Sequence, residues 1–242
     1  SLISIAVSAG SRESWREAID QLRNLAIDGV ITIALPGEIV KEIESSLDGA
    51  VIVIVDSEPS KKFDVVNIDN IYGATIATQY LIDAGHTEIL HVTGPENGYE
   101  SVKRKLGYET TMKAAGLKTE VIVGDWSIAR GFEVGVKVSK MKKRPTAIFC
   151  ANDLLALGVM RILNANKVKV PDQMSVLGYD NIEFASSAGI PLSSIAQPAY
   201  QMGVTAANLL LDECEAGEDH RHQQIRFQPQ LVERASTAAA PK

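Results

Sequence analysis

PTAIFCANDLLALGVMRILNANKVKVPDQMSVLGYDN, residues 145–181, holds a complete β-α-β unit. Ala147–Ala151 (AIFCA) is a short apolar run rich in β formers, as a strand buried on both faces should be. Asn152-Asp153 opens a helix, because a short polar side chain accepts from the orphan N–H groups of the first turn. Leu154, Leu155, Leu157, Met160, Ile162 and Leu163 carry that helix, and a loop closes at Pro171. Met174–Gly178 is the next strand. It is expected to stop at Gly178, leaving Tyr179-Asp180-Asn181 in the loop beyond.

The same alternation continues in both directions. Upstream, strands are expected at Ile3–Val7, Val30–Ala34, Val51–Val55, Val65–Ile68, Ile89–Val92 and Glu120–Val123. Helices are expected at Arg12–Ala26, Glu38–Ser46, for about fifteen residues after the Asp69-Asn70 cap, at Val102–Ala115 and at Ile128–Met141. Downstream come a loop (182–192), a strand at Ser193–Ala196, a long helix at Tyr200–Ala216, a polar loop (217–223) and a strand at Gln224–Phe227. Alternation of this kind means α/β with parallel sheets. Extended breaks at Asn67–Asp69 and Ala196–Pro198 divide it into two Rossmann-like lobes.

Composition narrows the function. The chain has 242 residues, 45% hydrophobic, and a net charge of -6. Phosphate neutralisation needs clustered Lys and Arg, so the chain alone is a poor nucleic-acid binder. Lys140–Arg144 (KMKKR) is the densest positive run and reads as a solvated helix end. Two cysteines, Cys150 in a strand and Cys214 in a helix, suggest buried free thiols in a reducing compartment, hence the cytoplasm. No apolar run approaches the ~20 residues of a membrane span, and no signal-peptide pattern is present.

Enzyme signatures are missing: there is no GxSxG, no GxxxxGK[ST] and no GxGxxG after a strand. His86 and His91 are placed on either side of a strand. His220-x-His222 has metal-chelating spacing but no carboxylate or thiol motif beside it, so neither metal nor cofactor is expected. What remains suits a polyol or heterocycle. Asp56, Asn152 and Asp180 supply acceptors at strand ends, where open parallel sheets bind ligands. Arg104 offers a rigid fork of donors, Trp126 a flat apolar face, and Gln197 an amide at the second break. Taken singly, each has a plainer role. Asn152 suits a helix cap, Asp56 and Asp180 suit turns, Arg104 suits a solvated helix and Trp126 a loop plug.

Four blocks in order, RPTAIFCANDLLALG, VPDQMSVLGYDN, PLSSIAQP and PQLVERAST, resemble the effector-binding core of the lactose repressor/galactose repressor family of bacterial transcription regulators. The resemblance runs from Ile3 to about Thr237. It implies a periplasmic-binding-protein-like fold crossed three times by the chain, with lobes at 1–67 plus 199–226 and 69–197 plus 228–237. It places Asn67, Asp69, Gln197, Pro198 and Phe227 at the hinges. Effector contacts fall on Asp56, Arg104, Trp126, Asn152, Asp180 and Gln197, in a cleft between lobes. A homodimer face falls on Leu157, Met160 and Ala188. The family's first βα unit and its helix-turn-helix head have no counterpart here, so operator DNA would be reached only through that head. The expected function is a repressor's sensor for a sugar or sugar phosphate. The alternatives are a sensor for a nucleoside or purine, and a periplasmic sugar-binding protein, which would be monomeric and secreted.

Overall fold

A computed structural model describes residues 12–241 except 26 and 48, together with all their side chains but that of Arg12. The strand expected at Ile3–Val7 lies outside these residues. The chain divides into two units, Ser1–Asn67 with Ala199–Arg226 and Ile68–Pro198 with Phe227–Lys242, so it passes between them three times.

In the first unit, strands β1 (Gly29–Ile33), β2 (Val51–Val55), β3 (Asp64–Ile68) and β9 (Gln224–Phe227) form one sheet in that order. The β1–β2 and β2–β3 pairs are parallel. Helix α1 (Arg12–Asn24) lays the stripe Trp15, Ala18, Ile19 and Leu22 towards α2 (Gly37–Ser46), whose Ile39, Val40 and Ile43 close over Ile52 and Ile54. Helix α8 (Ala199–Ala216) packs against β1 and β2.

The second unit carries a six-stranded sheet ordered β10-β8-β7-β6-β4-β5. Its strands are β4 (Ile89–Val92), β5 (Glu120–Ile122), β6 (Ala147–Cys150), β7 (Ser175–Asp180), β8 (Ser193–Ala196) and β10 (Gln230–Val232). Strand β6 is covered on both faces, and its residues alternate between two cores. Ala147 and Phe149 face α3 (Asn70–Asp83) and α4 (Tyr99–Ala114), with Ala74, Leu81, Tyr108 and Met112. Ile148 and Cys150 face α5 (Ile128–Ser139) and α6 (Asp153–Ala165), with Val134, Val138, Leu155 and Val159.

Several expectations are corrected. Strand β7 does not stop at Gly178, because Tyr179 and Asp180 still pair with Ile195 and Ala196 of β8. Helix α4 starts at Tyr99 rather than Val102, capped at Gly98. The 182–192 loop contains a short helix, α7 (Glu183–Ser187). The sheets are not wholly parallel, since β10 runs antiparallel to β8. Cys150 is buried but Cys214 is exposed, on the outer side of α8. Residues 230–240 are fastened beside the sheet. Val176 N–H donates to the Ser236 carbonyl at 2.8 Å, and Ser236 Oγ donates back to the Val176 carbonyl at 2.6 Å. Ala240 N–H donates to the Ala84 carbonyl, and His86 bonds Thr146 Oγ1 on one nitrogen and the Ala238 carbonyl on the other.

Two small contacts dominate the packing. Helices α5 and α6 cross backbone to backbone at Gly131 and Gly158. A Cβ on Gly158 would lie 2.4 Å from the Ile128 carbonyl oxygen and 2.9 Å from Gly131 Cα. His91 is not beside β4 but inside it, fully buried and stacked on Phe149 at 4.6 Å between ring centroids. Its Nδ1–H donates to the Phe149 carbonyl at 2.9 Å, while Nε2 is buried without a hydrogen-bond partner. Burial, with the positive charge of Arg104 and Lys105 nearby, pushes its pKa down to about 4.

Gly158→Ala should therefore destabilise the protein by about 1–3 kcal/mol, by overpacking. Gly203→Ala, in α8 with nothing within 4 Å of the added Cβ, should stabilise it by up to about 1 kcal/mol. Urea unfolding of the two variants should show opposite shifts of midpoint.

His91 generates a pH prediction. Its folded pKa lies below the unfolded value of 6.5. The unfolded chain therefore takes up the proton first as pH falls, and stability present above the unfolded pKa is lost between the two values. His91→Gln keeps a donor for the Phe149 carbonyl and removes the titration. Its stability relative to wild type should improve by about 3 kcal/mol between about pH 7 and about pH 4. A constant difference across that range in urea unfolding would refute this origin of the acid sensitivity.

Candidate functional site

Arg104, in the second turn of α4, is the centre of a polar cluster at the carboxyl ends of the six-stranded sheet. Its side chain is only 3% exposed. A buried guanidinium needs acceptors for its donors and a countercharge, and the sheet's ends supply both. Nε–H donates to Asn70 Oδ1 at 2.8 Å, and Nη1–H donates to the Ala151 carbonyl at 2.5 Å and more weakly to Asp180 Oδ1 at 3.4 Å. The guanidinium stacks 3.7 Å above the Tyr179 ring and lies 5.6 Å from the centre of the Trp126 ring.

Each partner is set by its own element. Asn70 is the first residue of α3, fixed by the cap in which Asp69 Oδ1 accepts from Tyr72 N–H at 2.9 Å. Asp180 ends β7 with φ 104, a left-handed conformation that costs a non-glycine residue about 1–3 kcal/mol. Gln197 Nε2 donates to its Oδ1 at 2.6 Å. Burial raises the Asp180 carboxyl pKa above the ordinary value, against the opposing pull of Arg104 and Gln197.

Trp126 follows β5 and seats its six-membered ring on Gly94, where any Cβ would come within 2.3 Å of the indole. Asn152 braces that loop. Its Oδ1 caps α6 by accepting from Leu155 N–H at 2.9 Å, and its Nδ2 donates to the Trp126 carbonyl at 3.0 Å. Both ends of the Asn152 amide are thus engaged within the protein. It holds the aromatic wall in place.

Arg104, Trp126, Asn152, Asp180 and Gln197 are therefore brought together within the second unit. Asp56 belongs to the first unit. It sits at the end of β2 with φ 50, and its N–H donates to the Val66 carbonyl at 3.0 Å. Of the residues expected at the crossings, Asn67 clamps the backbone of Ser57, through both its amide oxygen and its amide nitrogen, each at 3.0 Å. Asp69 N–H donates to the Phe227 carbonyl at 2.9 Å, and Pro198 is half-buried at the second boundary, immediately before α8. On the expected dimer face, Leu157 and Met160 are 8% and 7% exposed and packed into the unit's own core, against the close-set α5, while Ala188 is half-buried at the core's edge.

Three contributors were not singled out from the sequence. Tyr179 lies under Arg104 because β7 runs two residues further than expected. Asn70, which the sequence pairs with Asp69 as a cap, is the first residue of α3 and accepts from Arg104. Asp153, fully buried, accepts from Ser194 Oγ at 2.6 Å and from Ile182 N–H at 2.8 Å, and burial pushes its pKa up to about 7. Asn152-Asp153 reads as a single helix start, and only the position of Gly178, where a Cβ would strike Asp153 Oδ1 at 2.1 Å, shows that the second residue faces inward. Chemically the cluster combines one buried cation, a carboxylate beside it, an amide and an indole face. It contains no nucleophile paired with a base.

Comparisons with known proteins identify the family of this fold. Residues 78–237 match a family model described as a periplasmic binding protein-like domain. The HTH-type transcriptional repressor PurR of Vibrio parahaemolyticus is 35% identical over 235 residues, covering 93% of this chain and 69% of the repressor. Among solved structures, a transcriptional regulator CelR–cellobiose complex superposes with a TM-score of 0.85 at 29% identity, over 93% of this chain and 71% of that one. A LacI family transcriptional regulator from Enterococcus faecium with bound ribose gives 0.82 at 27% identity, over 92% and 84%. These relatives are transcription regulators, and the chain is not an enzyme. Among the described residues no helix is long and apolar enough to cross a membrane. Fold, cluster and relatives together establish that the chain belongs to the lactose repressor/galactose repressor family, as its effector-binding core.

Proposed function

We propose that this chain senses a neutral sugar for a dimeric cytoplasmic repressor whose operator contacts lie in a separate DNA-binding head. The observation that carries this reading is the Arg104–Asp180–Gln197 chain beside Trp126. Arg104 and Asp180 together carry no net charge, and the Arg104 donors described above already meet Asn70, Ala151 and Asp180. A phosphate would call for cationic donors in excess of these. Hydroxyl groups, which both donate and accept, suit a mixed set of carboxylate, amide and guanidinium, and the indole suits the apolar face of a sugar ring. The solved relatives with bound cellobiose and ribose are in keeping with this choice.

Sensing then follows from linkage. A sugar that binds one arrangement of the dimer more tightly shifts the population towards it, by no more than its differential affinity. The strained Asp180 is the element in this chain most directly placed to report occupancy, since its backbone conformation is held by the same side chains a sugar would engage.

Trp15 is the other of the two tryptophans, so Trp15→Phe makes Trp126 the sole tryptophan reporter. Titration of that variant with ribose, cellobiose and other neutral sugars should change its emission. At a hundredfold excess over Kd, ligand should add about 2.7 kcal/mol of stability, a rise of a few degrees in Tm. Gln197→Ala should abolish the response while leaving the circular dichroism unchanged. The flat face of Trp126 also suits a base, so nucleosides and purines form a second arm. A response to them or to sugar phosphates alone would overturn the neutral-sugar reading.

A further inference from the structure

Away from that cluster, the first unit brings Asp64 against a carboxylate and two imidazoles from residues 213–222. His220 Nε2 is 2.7 Å from Asp64 Oδ2 and 4.0 Å from Glu213 Oε2. His222 Nε2 is 3.1 Å from Glu213 Oε1. Asp64 is fully buried at the start of β3, Glu213 and His220 are largely buried, and His222 is on the solvent side. In the sequence, Glu218 and Asp219 directly precede His220-x-His222, but neither is among the groups that face the imidazoles at the distances above. The fold supplies two carboxylates that do, one from β3 and one from the last turns of α8.

We propose that Asp64, Glu213 and His220 form a binding site for a divalent transition-metal ion of the zinc class, with His222 at its solvent side holding Glu213 in place. Ligands about 2.1 Å from a tetrahedral zinc lie about 3.4 Å apart. The distances above straddle that spacing, and the ligand atoms of Asp64, Glu213 and His220 all lie within 4.8 Å of one another. A second observation points the same way. Glu213 Oε2 is buried with no hydrogen-bond partner, and a buried carboxylate oxygen without a donor is costly unless a cation satisfies it. Asp64 is oriented by the Gln223 N–H, which donates to its Oδ1 at 2.5 Å, the kind of outer contact that orders a metal-ligating carboxylate.

An imidazole among the ligands favours zinc, nickel or copper over magnesium and calcium, which take oxygen ligands. His222, on the exposed side, offers the entry path. A bound ion would tie the start of β3 to the loop between α8 and β9 and so stabilise the first unit.

The test is calorimetric titration of the tag-free, chelator-treated chain with zinc chloride, nickel chloride and magnesium chloride, paired with Tm. One zinc per chain and a rise in Tm are expected, with no response to magnesium. His222→Ala and Glu213→Gln should each weaken zinc binding at least ~10-fold and remove the rise in Tm. Since His222 is exposed, its variant should keep the wild-type circular dichroism. Cys214→Ser, which removes the neighbouring exposed thiol, should leave binding unchanged. No zinc binding, binding undiminished in both the His222 and Glu213 variants, or loss in the Cys214 variant would each overturn the site.

Discussion

A charge taken out of water is the constraint around which the second unit is built. Arg104 has almost no exposure, and removing a carboxylate or guanidinium from solvent costs several kcal/mol unless its partners are exact. Three elements converge to meet that cost. Helix α3 brings Asn70, the exit of β6 brings the Ala151 carbonyl, and β7 brings both the Tyr179 ring and the Asp180 carboxylate. The left-handed backbone at Asp180 persists because Arg104 and Gln197 both hold its side chain. The polar cluster at this end of the sheet is therefore held in place by the protein's own groups, the kind of preorganisation that lowers the entropy lost by a binding site.

Two aspartates a few ångströms of sheet apart show how environment divides identical chemistry. Asp180 faces a guanidinium and an amide that favour its ionised form, so burial raises its pKa against resistance. Asp153 receives neutral donors, and burial takes it to about 7. Its folded value lies above the unfolded one, so its contribution to stability is present below the unfolded pKa and disappears as pH rises through about 7. That is opposite in sign to His91, and the two partly cancel in the intact protein. Asp180 thus belongs to the Arg104 cluster, and Asp153 fastens β7, α7 and β8 through Ser194 and the Ile182 amide.

Much of the fold was legible because parallel strands buried on both faces leave apolar runs such as VIVIV and AIFC that nothing else in a chain of this composition imitates. Boundaries were legible where chemistry marks them, as at the Asp69 and Asn152 caps. They were lost where pairing overrode local preference. Gly178 looks like a stop, yet β8 continues the ladder past it. The tail lacks periodicity because Ser236 and its neighbours are held by β7 and β8 rather than by their own pattern. In the site, Arg104, Asp180, Gln197 and Trp126 stood out by residue type and position. Tyr179 and Asn70 did not, since their importance lies in what Arg104 needs. His220 and His222 looked isolated because their carboxylate neighbours come from β3 and α8.

The fastening of residues 230–240 has a bearing on synthesis. Strand β8 is complete when residue 196 leaves the ribosome, but its outer edge is covered only by β10, and Ser236 bridges β7 and β8 only after that. Until then a growing chain carries a five-stranded sheet with its β8 edge uncovered, and open edges recruit other strands. The first unit is likewise unfinished until β9 is made. Neither unit can close until its last strand, β9 or β10, has been made, although most of each core precedes them in the chain. Chains cut short by a few tens of residues would lose the closing parts of both units at once, and would be recognised as incomplete by their exposed edges rather than by any missing core.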